Sequence, residues 1–174
     1  MLACLEHKGV LPTNHEESFA ACRRHAENGK PWACLNLATR YETGKGVGSN
    51  LMAARSWYET AAAITQAPRQ AWVVSQALCA LGHLDHGTGN YTGALRRYNT
   101  AATEHHNAVA IFSIGMMFKH GEGVGHSAKK ATVLFLRGAE LGHPESQSAI
   151  DSLKLAASEV GRDWQLHLEA ELSW

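Results

Sequence analysis

Apolar residues recur along this chain at intervals of three and four, and the same short glycine-bearing stretches return between them. Leu37 and Tyr41, like Ile114 and Phe118, are four apart, which puts each pair on one stripe of a helix. Tyr58 with Ala62, and Tyr98 with Ala102, repeat that spacing further on. Three segments line up: LATRYETGKGV (Leu37 to Val47), ALGHLDHGTGN (Ala80 to Asn90) and IGMMFKHGEGV (Ile114 to Val124). After each comes a second set: AARSWYETAA (Ala53 to Ala62), GALRRYNTAA (Gly93 to Ala102) and KATVLFLRGAE (Lys130 to Glu140). The pattern predicts an all-α chain whose unit is helix, glycine turn, helix and small pair.

Gly44, Gly46, Gly87, Gly121 and Gly123 are the expected turn residues, since glycine reaches left-handed backbone angles cheaply at a helix end. Aligning the glycines makes the first helix of the middle unit one residue short between Gly82 and Gly87, and its loop to Tyr98 three residues short. Extra residues near Ala63 to Arg69 fit a lengthening of two helices, with Pro68 where a helix could begin. The expected boundaries are a partial repeat over 1–29, repeats over 30–64, 65–104 and 105–142, and C-terminal capping helices over 143–174. SFAACRRHAENG (Ser18 to Gly29) reads as a second helix, and His7 to Val10 as a turn. Beyond Gly142, a capping helix turns Ile150, Leu153, Ala157 and Val160 inward; Gly161 breaks it, and Asp163 could cap a short last helix with Trp164, Leu168 and Leu172 as its apolar face. Ala38, Gly82 and Gly115, with Ala54, Ala94 and Ala131, are small enough for helices to approach beneath Trp57, Tyr58, Tyr98 and Phe135.

These residues resemble the Sel-one-like repeat family, relatives of the tetratricopeptide repeats, over about residues 5 to 142. The family pattern LGxxYxxGxGV, a polar linker and AxxWYxxAA is carried most fully by LATRYETGKGV with ARSWYETAA and by IGMMFKHGEGV with ATVLFLRGA. The resemblance implies a right-handed α-solenoid of helix-turn-helix repeats that works as a protein-binding adaptor or scaffold. It also implies that the first helices line a concave groove. Asn36, Arg40, Gln76, His83, Ser113, Met116 and Lys119 are the positions on those helices that packing does not require, and they are the expected partner-binding residues.

Composition bears on function mainly by exclusion. The 174 residues hold sixteen basic and sixteen acidic side chains, a neutral balance that argues against binding nucleic acid chiefly through phosphates. The basic pairs Arg23-Arg24, Arg96-Arg97 and Lys129-Lys130 keep open a second function, a structural subunit or assembly factor of a larger, ribonucleoprotein complex. Cys4, Cys22, Cys34 and Cys79 form no CxxC pair and read as buried thiols in a reducing, intracellular compartment. No secretory signal or membrane-spanning run is visible.

The search for chemistry yields no expected catalytic, cofactor or metal site. Of eleven histidines, His83 and His86 are three apart, His105 and His106 adjacent, and His120 and His126 flank a turn. No cysteine or acid completes a tetrahedral set around them. The Gly-x-Gly turns follow helices, lack the rest of a phosphate loop, and read as turns. No GxSxG elbow occurs, and Glu16-Glu17 reads as a helix-start charge pair.

Overall fold

The computed structural model describes residues 15–63 and 70–159, with the side chains of the first two and last six of these left aside. The expected turn at His7 to Val10, the inserted residues around Pro68, and Val160, Gly161, Asp163, Trp164, Leu168 and Leu172 lie outside the described residues. What is described is helix and turn, with no strand: α1 (His15–Glu27), α2 (Pro31–Thr43), α3 (Leu51–Ala63), α4 (Ala71–Gly87), α5 (Tyr91–His105), α6 (Ala108–His120), α7 (Ala128–Glu140) and α8 (Pro144–Glu159). The chain forms two compact units, one up to Arg97 and one from Tyr98, with the boundary inside α5.

The helices keep a common register. Counted from buried Leu37, Leu81 and Ile114, α2, α4 and α6 each end six residues on, at Thr43, Gly87 and His120. α3, α5 and α7 each begin seven residues before a buried ring, that of Tyr58, Tyr98 or Phe135. One residue earlier stands a cap whose side chain accepts a backbone N–H. Asn50 Oδ1 takes that of Ala53 at 3.0 Å, Asn90 Oδ1 that of Gly93 at 3.1 Å, and Ser127 Oγ that of Lys130 at 3.2 Å.

A second hydrogen bond closes each hairpin. The N–H of the cap residue donates to the carbonyl four residues past the register residue: Asn50 to Tyr41 at 2.8 Å, Asn90 to Asp85 at 2.9 Å, and Ser127 to Phe118 at 2.9 Å. The intervening turns differ. Gly44 and Gly121 cap their helices at φ 75° and 74°, each donating 2.8 Å to the carbonyl four residues back. In the middle hairpin Gly87 is still helical, Thr88 takes the cap position at φ −95°, and Gly89 carries the positive φ. This corrects the expected alignment: the first helix is not short, and the whole difference lies in a turn of Thr88 and Gly89. The Thr88 hydroxyl reaches the carbonyls of Leu84 (3.2 Å) and Asp85 (2.9 Å), satisfying helix-end acceptors that the longer loops serve otherwise.

Of the two helices expected to lengthen, α4 does so. It starts ten residues before Leu81, whereas α2 and α6 start six before their register residues, an extra turn of Ala71 to Val74. α3 is described as far as Ala63, where the described residues break off, so the other expected lengthening lies outside them. α8, expected as a cap, also starts six residues before buried Ile150, which is the register of a first helix.

In the first unit, Cys22, Ala33, Cys34, Leu37, Ala38, Ala54, Tyr58, Ala61, Val73, Ala77 and Leu81 form one core. Phe19 of α1 meets Tyr41 of α2 edge to face, with ring centroids 5.5 Å apart. In the second unit Ala131, Phe135, Ala149 and Ile150 form the core, with Phe112, Met116, Phe118 and Leu153 packed on it. A Cβ at Gly115 would lie 2.6 Å from Phe135 Cε1 and 2.8 Å from Cδ1, so α6 requires glycine there. The turns into α2, α6 and α8 place Gly29, His106 and Gly142 in the left-handed region, at φ 70°, 49° and 83°. His106 alone among the described non-glycine residues adopts such a φ.

Two outcomes are expected. Gly115→Ala lowers stability to chemical denaturation by about 1–3 kcal/mol, and Phe135→Leu in the same chain recovers part of that loss. Strictly additive losses would remove the contact. His106→Gly raises stability by about 1 kcal/mol by relieving the side-chain clash of a left-handed residue; a lower denaturation midpoint would count against that strain.

Candidate functional site

The seven expected recognition residues fall in two groups, one in each unit. In the first unit α2 carries Asn36 and Arg40, and α4 carries Gln76 and His83; the two helices touch. Gln76 and His83 are exposed and seven residues apart, hence on one face of α4. Exposed Thr39 and half-buried Asn36 share the corresponding face of α2. Arg40 is committed to the fold instead: Nη2 donates to Ser18 Oγ at 2.5 Å and Nη1 to the Lys45 carbonyl at 3.4 Å.

In the second unit the three residues of α6 are half-buried and serve the structure. Ser113 Oγ donates to the Val109 carbonyl at 2.9 Å. Met116 packs on the Phe135 and Ile150 core. Lys119 Nζ donates to Ser152 Oγ of α8 at 3.3 Å.

Sequence reasoning missed two clusters in the first unit. Tyr58 of α3, read only as packing, donates its hydroxyl to Glu42 Oε2 at 2.6 Å and lies 3.1 Å from Thr39 Oγ1. Burial first, and the Glu42 hydrogen bond second, push the Tyr58 hydroxyl far above the ordinary phenol range, so it stays a donor. Nearby His83 is pulled below the usual imidazole value, chiefly by loss of hydration and against the pull of Glu42.

The second cluster is ionic. Asp85, 3% exposed, receives Arg55 Nη1 of α3 and Arg97 Nε of α5, each at 2.7 Å, and Arg97 Nη2 lies 3.7 Å from Glu59. Burial alone would raise the Asp85 carboxyl; the two guanidinium hydrogen bonds and charges outweigh it and hold the group below its ordinary 3.8. The visible signal was an acid in the column that holds Tyr41 and Phe118, which the glycine alignment hid by placing Leu84 there.

A serine, an imidazole and a carboxylate also meet at the start of α8. Ser146 Oγ is 3.2 Å from His143 Nδ1, and His143 Nε2 is 3.4 Å from Glu145 Oε2. Ser146 has no exposed surface, its Oγ occupies the space a Cβ at Gly138 would need, and the His143 ring stacks on Phe112 at 4.3 Å. A nucleophile needs access to its substrate, and Ser146 has none; Ser146 and His143 pack at the start of α8 while Glu145 stays exposed. Among the described residues no group of three or more His, Cys, Asp or Glu side chains could hold a metal, and no helix is long and apolar enough to cross a membrane. Cys22, Cys34 and Cys79 are buried and form no disulfide.

The family model described as Sel1 repeat matches residues 33–64 and 108–143. Among solved structures the chain is similar to a Sel1 repeat protein from Oxalobacter formigenes, at 30% identity and a TM-score of 0.65, over 80% of this chain and 56% of that one. It is also similar in fold to a protective antigen of uropathogenic Escherichia coli strains that displays an SLR fold. That match has 24% identity and a TM-score of 0.70, over 82% of this chain and 30% of that one. The chain thus spans just over half the length of the first and under a third of the second. No curated protein matches the sequence.

The Asp85 cluster sets a test of stability against pH. Asp85→Asn costs about 2–4 kcal/mol at neutral pH, because two partly buried guanidinium groups lose their counter-charge. With the folded carboxyl held below 3.8, the wild-type advantage is full above that value and fades as pH falls through the folded one. Urea midpoints of both chains across that range check it, and a gap that persists in strong acid would discard the ion pairs as its source.

Proposed function

Because this chain is a helical-repeat protein of the Sel1 type, we propose that it is a non-enzymatic adaptor holding a partner polypeptide along the face of its first helices. Sel1 repeats are generally protein–protein interaction modules. The observation that carries the reading is the surface of α2 and α4. Their apolar sides are spent on the core of the first unit, whereas Thr39, Gln76 and His83 stay exposed beside half-buried Asn36. Such a face offers hydrogen-bonding groups in a row on rigid helices, which suits an extended or helical peptide.

The reading as a ribonucleoprotein subunit draws on three basic pairs, and the fold employs at least one member of each. Arg23 Nε pairs with Glu27 at 2.8 Å, Arg97 with Asp85, and Lys130 Nζ lies 5.2 Å from the centre of the Phe118 ring. That leaves less free positive charge for phosphates than the sequence suggests.

The adaptor reading is tested by affinity purification from native cells with the tagged chain and a Gln76→Ala, His83→Ala double variant, each with and without nuclease. The expected result is a small set of stoichiometric polypeptides that survives nuclease and falls at least about fivefold with the variant, whose melting temperature stays that of the wild type. Equal recovery by the variant would move recognition off this face, and dispersal by nuclease would favour the ribonucleoprotein reading.

A further inference from the structure

The face of α2 and α4 carries a carboxylate that the fold has fixed in place and left unneutralised. Glu42 is half-buried on α2, and its Oε2 accepts the 2.6 Å hydrogen bond from Tyr58. The tyrosine is 2% exposed and locked in the core, so its hydroxyl cannot follow a moving partner and instead pins the carboxylate. The donor is neutral. Among the described residues Glu42 forms no ion pair, and the nearest arginine along the helix, Arg40, is turned to Ser18 and the Lys45 carbonyl. His83 is the nearby imidazole on α4, and desolvation disfavours its charged form, so it supplies little counter-charge at neutral pH.

A fixed, half-buried carboxylate with one oxygen bonded to a neutral donor is tolerated while water reaches the other. Covering it with an apolar or acidic partner would strand a charge, whereas covering it with a cation would form a charge-assisted hydrogen bond in a shielded setting. From this, and resting on the adaptor reading above, we infer that Glu42 is the receptor for a lysine or arginine side chain of the partner polypeptide. Tyr58 and Thr39 are positioning residues for it, and Gln76 and His83 flank it with polar contacts. The carboxylate also discriminates, since an acidic side chain at the same register meets an unscreened like charge. A partner so defined is a polypeptide with a basic residue at one fixed place, rather than a generally basic one.

The experiment selects random dodecapeptides displayed on phage against the whole chain and against Glu42→Gln. Glutamine keeps an acceptor for the Tyr58 hydroxyl, so a merely structural role for Glu42 is preserved while its charge is removed; thermal melting of both chains verifies this. Peptides selected on the wild type are expected to share one lysine or arginine position and to bind Glu42→Gln at least about tenfold more weakly in fluorescence anisotropy. Replacing that residue with norleucine is expected to cause a similar loss, with no further loss on Glu42→Gln. Peptides that lack a fixed basic position, yet lose binding to the Gln76→Ala, His83→Ala variant, would overturn the role of Glu42 and leave the adaptor reading standing. Absence of any binding peptide, or binding indifferent to all three substitutions, would overturn both.

Discussion

Three described hairpins of this protein, α2–α3, α4–α5 and α6–α7, share one backbone hydrogen bond, from the N–H of a cap residue to the carbonyl four residues beyond the buried aliphatic of the preceding helix. It ties the start of α3, α5 and α7 to a fixed level of the helix before each. With that level set in the α6–α7 hairpin, the Phe135 ring eight residues after the cap falls within reach of Gly115, the small residue following the aliphatic. The bond is made by main chain, so it is indifferent to side-chain identity, and Tyr41, Asp85 and Phe118 serve equally well. That indifference is why a turn of only Thr88 and Gly89 can replace the longer loops without shifting α5 from its register.

The helix-turn-helix repeat was legible because two features of different origin coincide. Four-residue spacing marks the buried stripes, and glycine marks the helix ends. They parted in one place. At Gly87 the glycine column runs one residue ahead of the structural end, because a threonine that bonds its own helix carbonyls can end a helix without a left-handed residue. His106 shows the converse, a left-handed site held by a residue that carries no such signature. The extra turn of α4 follows the expected lengthening, since a whole added turn leaves the phase of the apolar stripe almost unchanged.

Recognition residues were less legible than the fold, for a physical reason. Spacing tells which side of a helix a residue occupies, but not whether a neighbouring helix brings it a hydrogen-bond partner. Arg40 and Lys119 look free in the sequence and are engaged by Ser18 and Ser152, 22 and 33 residues away. Glu42 sits in the segment read as a helix end, and Tyr58 in the set read as packing; only the meeting of α2 and α3 reveals that they act as a pair. Residues whose role depends on one distant partner are the ones that a repeat pattern, averaged over its copies, hides.

Asp85 limits how far these repeats can be treated as copies of one another. Its carboxylate is balanced by Arg55 from the preceding hairpin and Arg97 from its own, whereas the corresponding places elsewhere hold the rings of Tyr41 and Phe118. Duplication or exchange of the middle repeat by recombination would carry the acid into a setting without Arg55, or leave Arg55 facing a ring. An array assembled from interchangeable parts has thereby acquired a fixed order, written in a charge that has only one suitable address.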